Sequence, residues 1–139
     1  MPGFRATGVC RAPALDVFAI LHDPTRMEEW WADTARVETG PDGGVTRYAA
    51  AWPDFPYPLG VSGGDGAVTI SCLVSDIVYE WRLAPHPDGC EVSARVELPD
   101  DQAEKLDAQR DEVDRSLGRL IALAEGRAPG GPPSPPGTP

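Results

Sequence analysis

Residues 101–125 constrain the fold more than any other stretch. Their apolar side chains Ala103, Leu106, Val113, Leu117, Leu120, Ile121 and Ala124 recur at spacings of three and four, broken once at Arg110. That spacing gathers them on one side of an α-helix whose other side is charged. Pro99 closes the preceding segment, Asp101 is placed to cap the helix with Glu104 three residues on, and Gly126 stands where a left-handed terminating residue belongs. About 25 residues at 1.5 Å each make a rod of roughly 37 Å. A helix of that length with one apolar face has to lie across a broad apolar surface.

The surface is legible upstream. In residues 77–83, Ile77, Tyr79, Trp81 and Leu83 alternate with Val78, Glu80 and Arg82, and in 91–98, Val92, Ala94, Val96 and Leu98 alternate with Glu91, Ser93, Arg95 and Glu97. Period-two alternation marks half-buried antiparallel strands. Between them, residues 85–89 carry turn chemistry, with Pro85 fixing φ and Asp88-Gly89 accepting positive φ. Val68, Ile70 and Cys72 begin the same pattern, and further strands are expected at 4–11, 34–39 and 44–52. Two short helices interrupt the strands. One covers 14–21 after Pro13, and the other opens with Asp23 as cap and Pro24 behind it and runs to about Trp31. Residues 53–66 are rich in Pro and Gly, so the expectation there is a loop over a cavity mouth, with a short strand at 59–62. Strands together and helices at the ends make an α+β fold: a curved antiparallel sheet of six to seven strands, two short helices after the first, and a long C-terminal helix.

Composition narrows the function. The chain has 139 residues and a formal charge of -10, which fits one domain and argues against nucleic acid and anionic membrane surfaces as partners. The domain is expected to span residues 1–127. Residues 128–139 include six prolines and no charged or bulky apolar side chain, so they are expected to be a disordered tail, either inert or a weak ligand for a protein partner. Cys10, Cys72 and Cys90 are widely spaced with no paired-cysteine motif, so they read as small buried hydrophobes, and neither a disulfide framework nor a metal site is expected. No apolar run is long enough to span a membrane and no signal peptide is apparent, so the expected location is the cytoplasm. No nucleophile-elbow, phosphate-loop or metal-ligand motif is present, catalytic residues are unassigned, and no cofactor is expected.

The order of elements, with Ala12-Pro13, Val17-Phe18-Ala19, His22-Asp23-Pro24, Trp30-Trp31, the Tyr79/Trp81/Leu83 strand and the closing helix, resembles the START-like superfamily. That group includes polyketide cyclase/dehydrase and lipid-transport proteins and the birch-pollen-allergen fold. The resemblance covers residues 4–126 and implies a helix-grip architecture. It says little about activity, because this scaffold hosts carriers, cyclases, hydrolases and sensors.

A strongly curved sheet cannot press flat on a straight helix, so a pocket is expected between them, of roughly 300–1,000 Å³. Tyr48, Trp52, Tyr79 and Trp81 are expected to line it from the sheet, and Val113 and Leu117 from the helix. Adjacent helical residues point apart, so Trp30 and Trp31 are not expected both to face inward. One anchors the helix and the other, with Trp31 the candidate, stands at the mouth. Arg110 interrupts the apolar seam: either its guanidinium binds an anionic group in the pocket, or its stem covers the core edge and its head reaches water. His86 reads as solvated, and His22 as a helix-end residue or a general acid or base. An aromatic lining without a paired acid and base points to binding or carriage of a hydrophobic small molecule, lipid or polyketide-like. The alternative is a cyclase or aromatase acting in the same cavity.

Overall fold

The computed structural model describes residues 2–126. Strand β1 (Gly3–Cys10) leads into helix α1 (Ala14–Leu21), a 3-10 turn at Pro24–Arg26 and helix α2 (Met27–Trp30). Six strands follow: β2 (Thr34–Thr39), β3 (Val45–Ala49), β4 (Trp52–Gly64), β5 (Ala67–Cys72), β6 (Val78–His86) and β7 (Gly89–Glu97). A 3-10 segment at Asp100–Lys105 then runs into helix α3 (Leu106–Ala124). The seven strands form one antiparallel sheet in the order β1-β7-β6-β5-β4-β3-β2. This is the expected α+β arrangement. The proposed tail at 128–139 lies outside the described residues.

The sheet has to curl. Helix α3 reaches β1, where Ile121 lies over Gly8, and also β3, where Glu112 meets Arg47. Those strands stand five places apart in the sheet, about 24 Å if it were flat. The helix advances only about 14 Å between the two contacts. Curvature closes the difference. Gly8 shows how tightly the C-terminal half of α3 is seated, since a Cβ there would come within 2.8 Å of Ile121 Cδ1. The N-terminal half meets the sheet through long polar side chains, Gln109 with Tyr79 and Glu112 with Arg47.

Residues 53–66 depart from the expected loop. They belong to β4, a strand of 13 residues that contains Pro53, Pro56 and Pro58. Its two halves serve different neighbours: Trp52 to Leu59 pair with β3, whereas Leu59 to Gly64 pair with β5. The proline-bearing half is therefore an edge on its β5 side, where a missing N–H is tolerated. A register shift between Arg47 and Ala49 absorbs the remaining irregularity.

The start of the last helix also differs. Pro99, not Asp101, holds the cap position, and no side chain caps this end. Pro99 has extended backbone with its carbonyl free to accept, and Gln102 N donates to it at 2.9 Å, so a tight turn begins before any α-helical bond forms. The far end follows expectation, with Gly126 at φ +81°. Asp23 caps as expected by accepting from Thr25 N at 3.0 Å.

The three cysteines are buried thiols. Cys10 and Cys90 face each other across β1 and β7, and burial pushes the Cys90 thiol up, with Cys10 adding to the shift. Close by, Gly89 holds φ +147°, and a Cβ there would run into the backbone carbonyls of Cys10 and Arg11. Backbone atoms of a paired strand cannot step aside. Gly89→Ala is therefore expected to destabilise the fold by about 1–3 kcal/mol, seen as a lower midpoint in urea unfolding with an unchanged slope.

Candidate functional site

Between the sheet and the N-terminal half of α3 lies a cavity of about 130 Å³. Its walls are Trp31, Tyr57 and Tyr79 with Ala49, Leu59, Ile77 and Cys72, and its polar groups are Arg47, Ser75, Lys105, Gln109 and Glu112. Each wall follows from the strand period. On β3 the inward residues are Val45, Arg47 and Ala49, which sit opposite Leu59, Tyr57 and the start of β4.

A buried ion pair organises one side. Arg47 and Glu112 are each 8% exposed. Arg47 Nη2 donates to Glu112 Oε1 at 3.3 Å and to the carbonyls of Ala32 at 3.1 Å and Asp33 at 3.3 Å. Arg47 Nε donates to Thr34 Oγ1 at 2.8 Å, and the guanidinium lies 4.2 Å from the centre of the Trp31 ring. Trp31 Nε1 donates to Glu112 Oε2 at 3.2 Å. One turn along the helix, the Ser116 hydroxyl accepts from Ala32 N at 2.9 Å and donates to Glu112 O at 2.7 Å. Residues 31–34 are thus bonded to both β3 and α3, and the ion pair is a structural fixture whose charges are matched and hydrogen-bonded.

Tyr79 forms the second polar point. Its hydroxyl donates to Gln109 Oε1 at 2.7 Å, and its ring meets Trp31 edge-on at 5.3 Å and 72°. Burial pushes its phenol far above the ordinary range, and the Glu112 carboxylate adds to the effect. An unfolded tyrosine ionises near pH 10 while the folded one keeps its proton, so stability falls above that pH. Between pH 8 and pH 11 the native chain is expected to lose about 1.4 kcal/mol more than Tyr79→Phe, measured by urea unfolding at both pH values.

Of the residues expected to line a pocket, Trp31 and Tyr79 do so. Tyr48 and Trp52 do not. Tyr48 is on the opposite face of β3, with Arg36 Cζ 3.8 Å from its ring centre, and Trp52 is 65% exposed at the β3–β4 hairpin. The parity of β3 is one residue off the expected one, which moves every side chain to the other face. Trp81, Val113 and Leu117 are buried in the core and stand away from the cavity walls. Arg110 is exposed, with Cζ 5.6 Å from the Phe4 ring, and takes no part in the cavity. His22 stacks on Phe18 at 5.3 Å and is not part of the cavity lining.

Trp30 and Trp31 both face inward, at 1% and 3% exposure, with stacked rings 5.8 Å apart. Helix α2 ends between them, and Trp31 has extended backbone at φ -77° and ψ 108°, so helical divergence does not apply. Sequence reasoning missed Arg47, Tyr57, Gln109 and Glu112. Gln109, Glu112 and Ser116 form an i, i+3, i+7 row beside the apolar seam, and that row was the available signal.

Among the described residues no group of three or more His, Cys, Asp or Glu is placed to hold a metal ion. No described helix is long and apolar enough to cross a membrane.

No family model matches the chain, and no curated protein does. Solved structures do. The KanY protein, determined by NMR, is 18% identical with a TM-score of 0.76, and the match covers 90% of this chain and 98% of that one. A protein from Chromobacterium violaceum is 21% identical with a TM-score of 0.66, covering 88% and 96%. A START superfamily protein from Mycobacterium smegmatis is 13% identical with a TM-score of 0.65, covering 91% and 96%. Such identities speak to architecture, and they agree with the strand order, the two early helices and the seated last helix: the chain has the START-like helix-grip fold.

Proposed function

We propose that the protein binds a compact hydrophobic molecule in the cavity between the sheet and the N-terminal half of α3. The supporting observation is a set of aromatic walls, Trp31, Tyr57 and Tyr79, around space that the helix does not fill. Likeness to a START superfamily structure favours a ligand-binding use of that space. Among lipid or polyketide-like guests, the cavity of about 130 Å³ suits short or single-ring ones, since pockets for larger ligands run to roughly 300–1,000 Å³.

Binding is favoured over cyclase chemistry by the state of the buried polar groups. Proton transfer needs a group free to give or take a proton at the substrate. Arg47 is paired with Glu112, and Tyr79 with Gln109. A carrier needs no such freedom.

Native mass spectrometry of the protein purified from its own source tests this. A co-purifying small molecule is expected on the native chain and absent from Ala49→Trp, whose larger side chain fills the space. Identical spectra for both variants, with no bound mass on either, would count against the reading.

A further inference from the structure

The hydrogen-bonding capacity left open in the cavity leans towards donors. Both Glu112 oxygens are engaged, Oε1 by Arg47 Nη2 at 3.3 Å and Oε2 by Trp31 Nε1 at 3.2 Å. Gln109 Oε1 accepts from the Tyr79 hydroxyl at 2.7 Å. Each of these strong acceptors already takes one bond, and the Ser75 and Tyr79 hydroxyls of the same lining can also accept. Donors remain. The Gln109 amide nitrogen carries two N–H groups that bond to no described residue, and Arg47 bonds through Nε and Nη2 while Nη1 has no partner among the described residues. Lys105 adds an ammonium to the same lining. Arg47 and Lys105 against Glu112 leave this wall one positive charge, in a chain whose formal charge is -10.

Size supplies the second constraint. A cavity of about 130 Å³ is close to the roughly 150 Å³ that holds one benzene in an engineered apolar cavity of another protein. The aromatic side chains Trp31, Tyr57 and Tyr79 in the lining favour a ring.

We propose that the guest is a single-ring aromatic carboxylate, its ring against Trp31, Tyr57 and Tyr79 and its carboxylate among Lys105, the Gln109 amide and Arg47 Nη1. This rests on the reading of the cavity as a ligand site and adds the charge and size of what enters it. The acid meets donors that a neutral ring leaves to water, and an amine meets like charge. Charge-assisted hydrogen bonds make the difference at least about tenfold in affinity.

The test titrates the full chain with benzoate, toluene, benzylamine and decanoate, following tryptophan fluorescence and calorimetry at low salt. Benzoate is expected to bind about tenfold or more tighter than toluene, and benzylamine more weakly than either. Lys105→Glu, at an exposed position, and Gln109→Leu are each expected to lower the benzoate-to-toluene affinity ratio about tenfold. Toluene binding as well as benzoate, or decanoate binding better, would overturn the proposal and leave a hydrophobic ligand site standing. Failure of all four compounds would overturn both readings.

Discussion

Glu112→Leu is expected to cost the fold about 3–5 kcal/mol, against a total stability of about 5–15 kcal/mol for a domain of this kind. The loss does not come from the pair's attraction, which desolvation largely offsets. It comes from what the substitution strands. Arg47 is 8% exposed and would keep its charge with only the carbonyls of Ala32 and Asp33 and the Thr34 hydroxyl as partners. Trp31 Nε1 would lose its one acceptor. Removing both charges together leaves neither problem. The double variant Arg47→Met/Glu112→Leu is therefore expected to recover most of the loss. Guanidinium unfolding of the native chain, both single variants and the double variant measures the cycle. Equal losses in the single Glu112 variant and the double variant would mean that shape at this point, rather than charge, holds α3 to β3.

That ion pair also shows where the sequence stopped being legible. Strands β5, β6 and β7 were readable because each is half-buried, and burial on one face writes alternation into the residues themselves. Arg47 breaks that logic. It is a charged residue at an inward position, and its neutralising partner lies 65 positions away on another element. Local patterning therefore assigned the inward face of β3 to its aromatic neighbour Tyr48, which is held outside by Arg36. The same cause acted on α3. Leu117 and Leu120 announced the seated half of the helix, whereas the half over the cavity carries Gln109 and Glu112, which look solvent-facing until their partners Tyr79 and Arg47 are placed. Arg110, the visible break in the apolar seam, was a misleading cue, because the helix turns it outward over the edge at Phe4. In β4 the prolines hid a strand, since no local pattern reveals that only half of it needs partners on both sides.

Trp81→Ala is expected to cost about 3–5 kcal/mol and, with Trp81→Phe, to separate the core from the site. Trp81 is 2% exposed and meets Trp30 edge-on at 5.2 Å and 79°. It shares the inward face of β6 with Tyr79, yet Tyr79 borders the cavity and Trp81 is buried beyond its walls. Truncation to alanine opens a void that Trp30, fixed between Trp81 and Trp31, cannot collapse to fill. Phenylalanine restores part of the volume, so Trp81→Phe should lose only about 1–2 kcal/mol. Because it leaves the cavity walls untouched, benzoate affinity should stay within about twofold of native, a change smaller than any lost polar contact would produce. Trp31→Phe should behave differently. It keeps a ring in the wall but removes the N–H that holds Glu112, so affinity and stability should both fall. Urea unfolding and benzoate titration on the two phenylalanine variants read these effects apart. A Trp81→Phe variant that kept its stability but lost benzoate would place the guest deeper, between Trp30 and the centre of the sheet, in space that the native side chains now occupy.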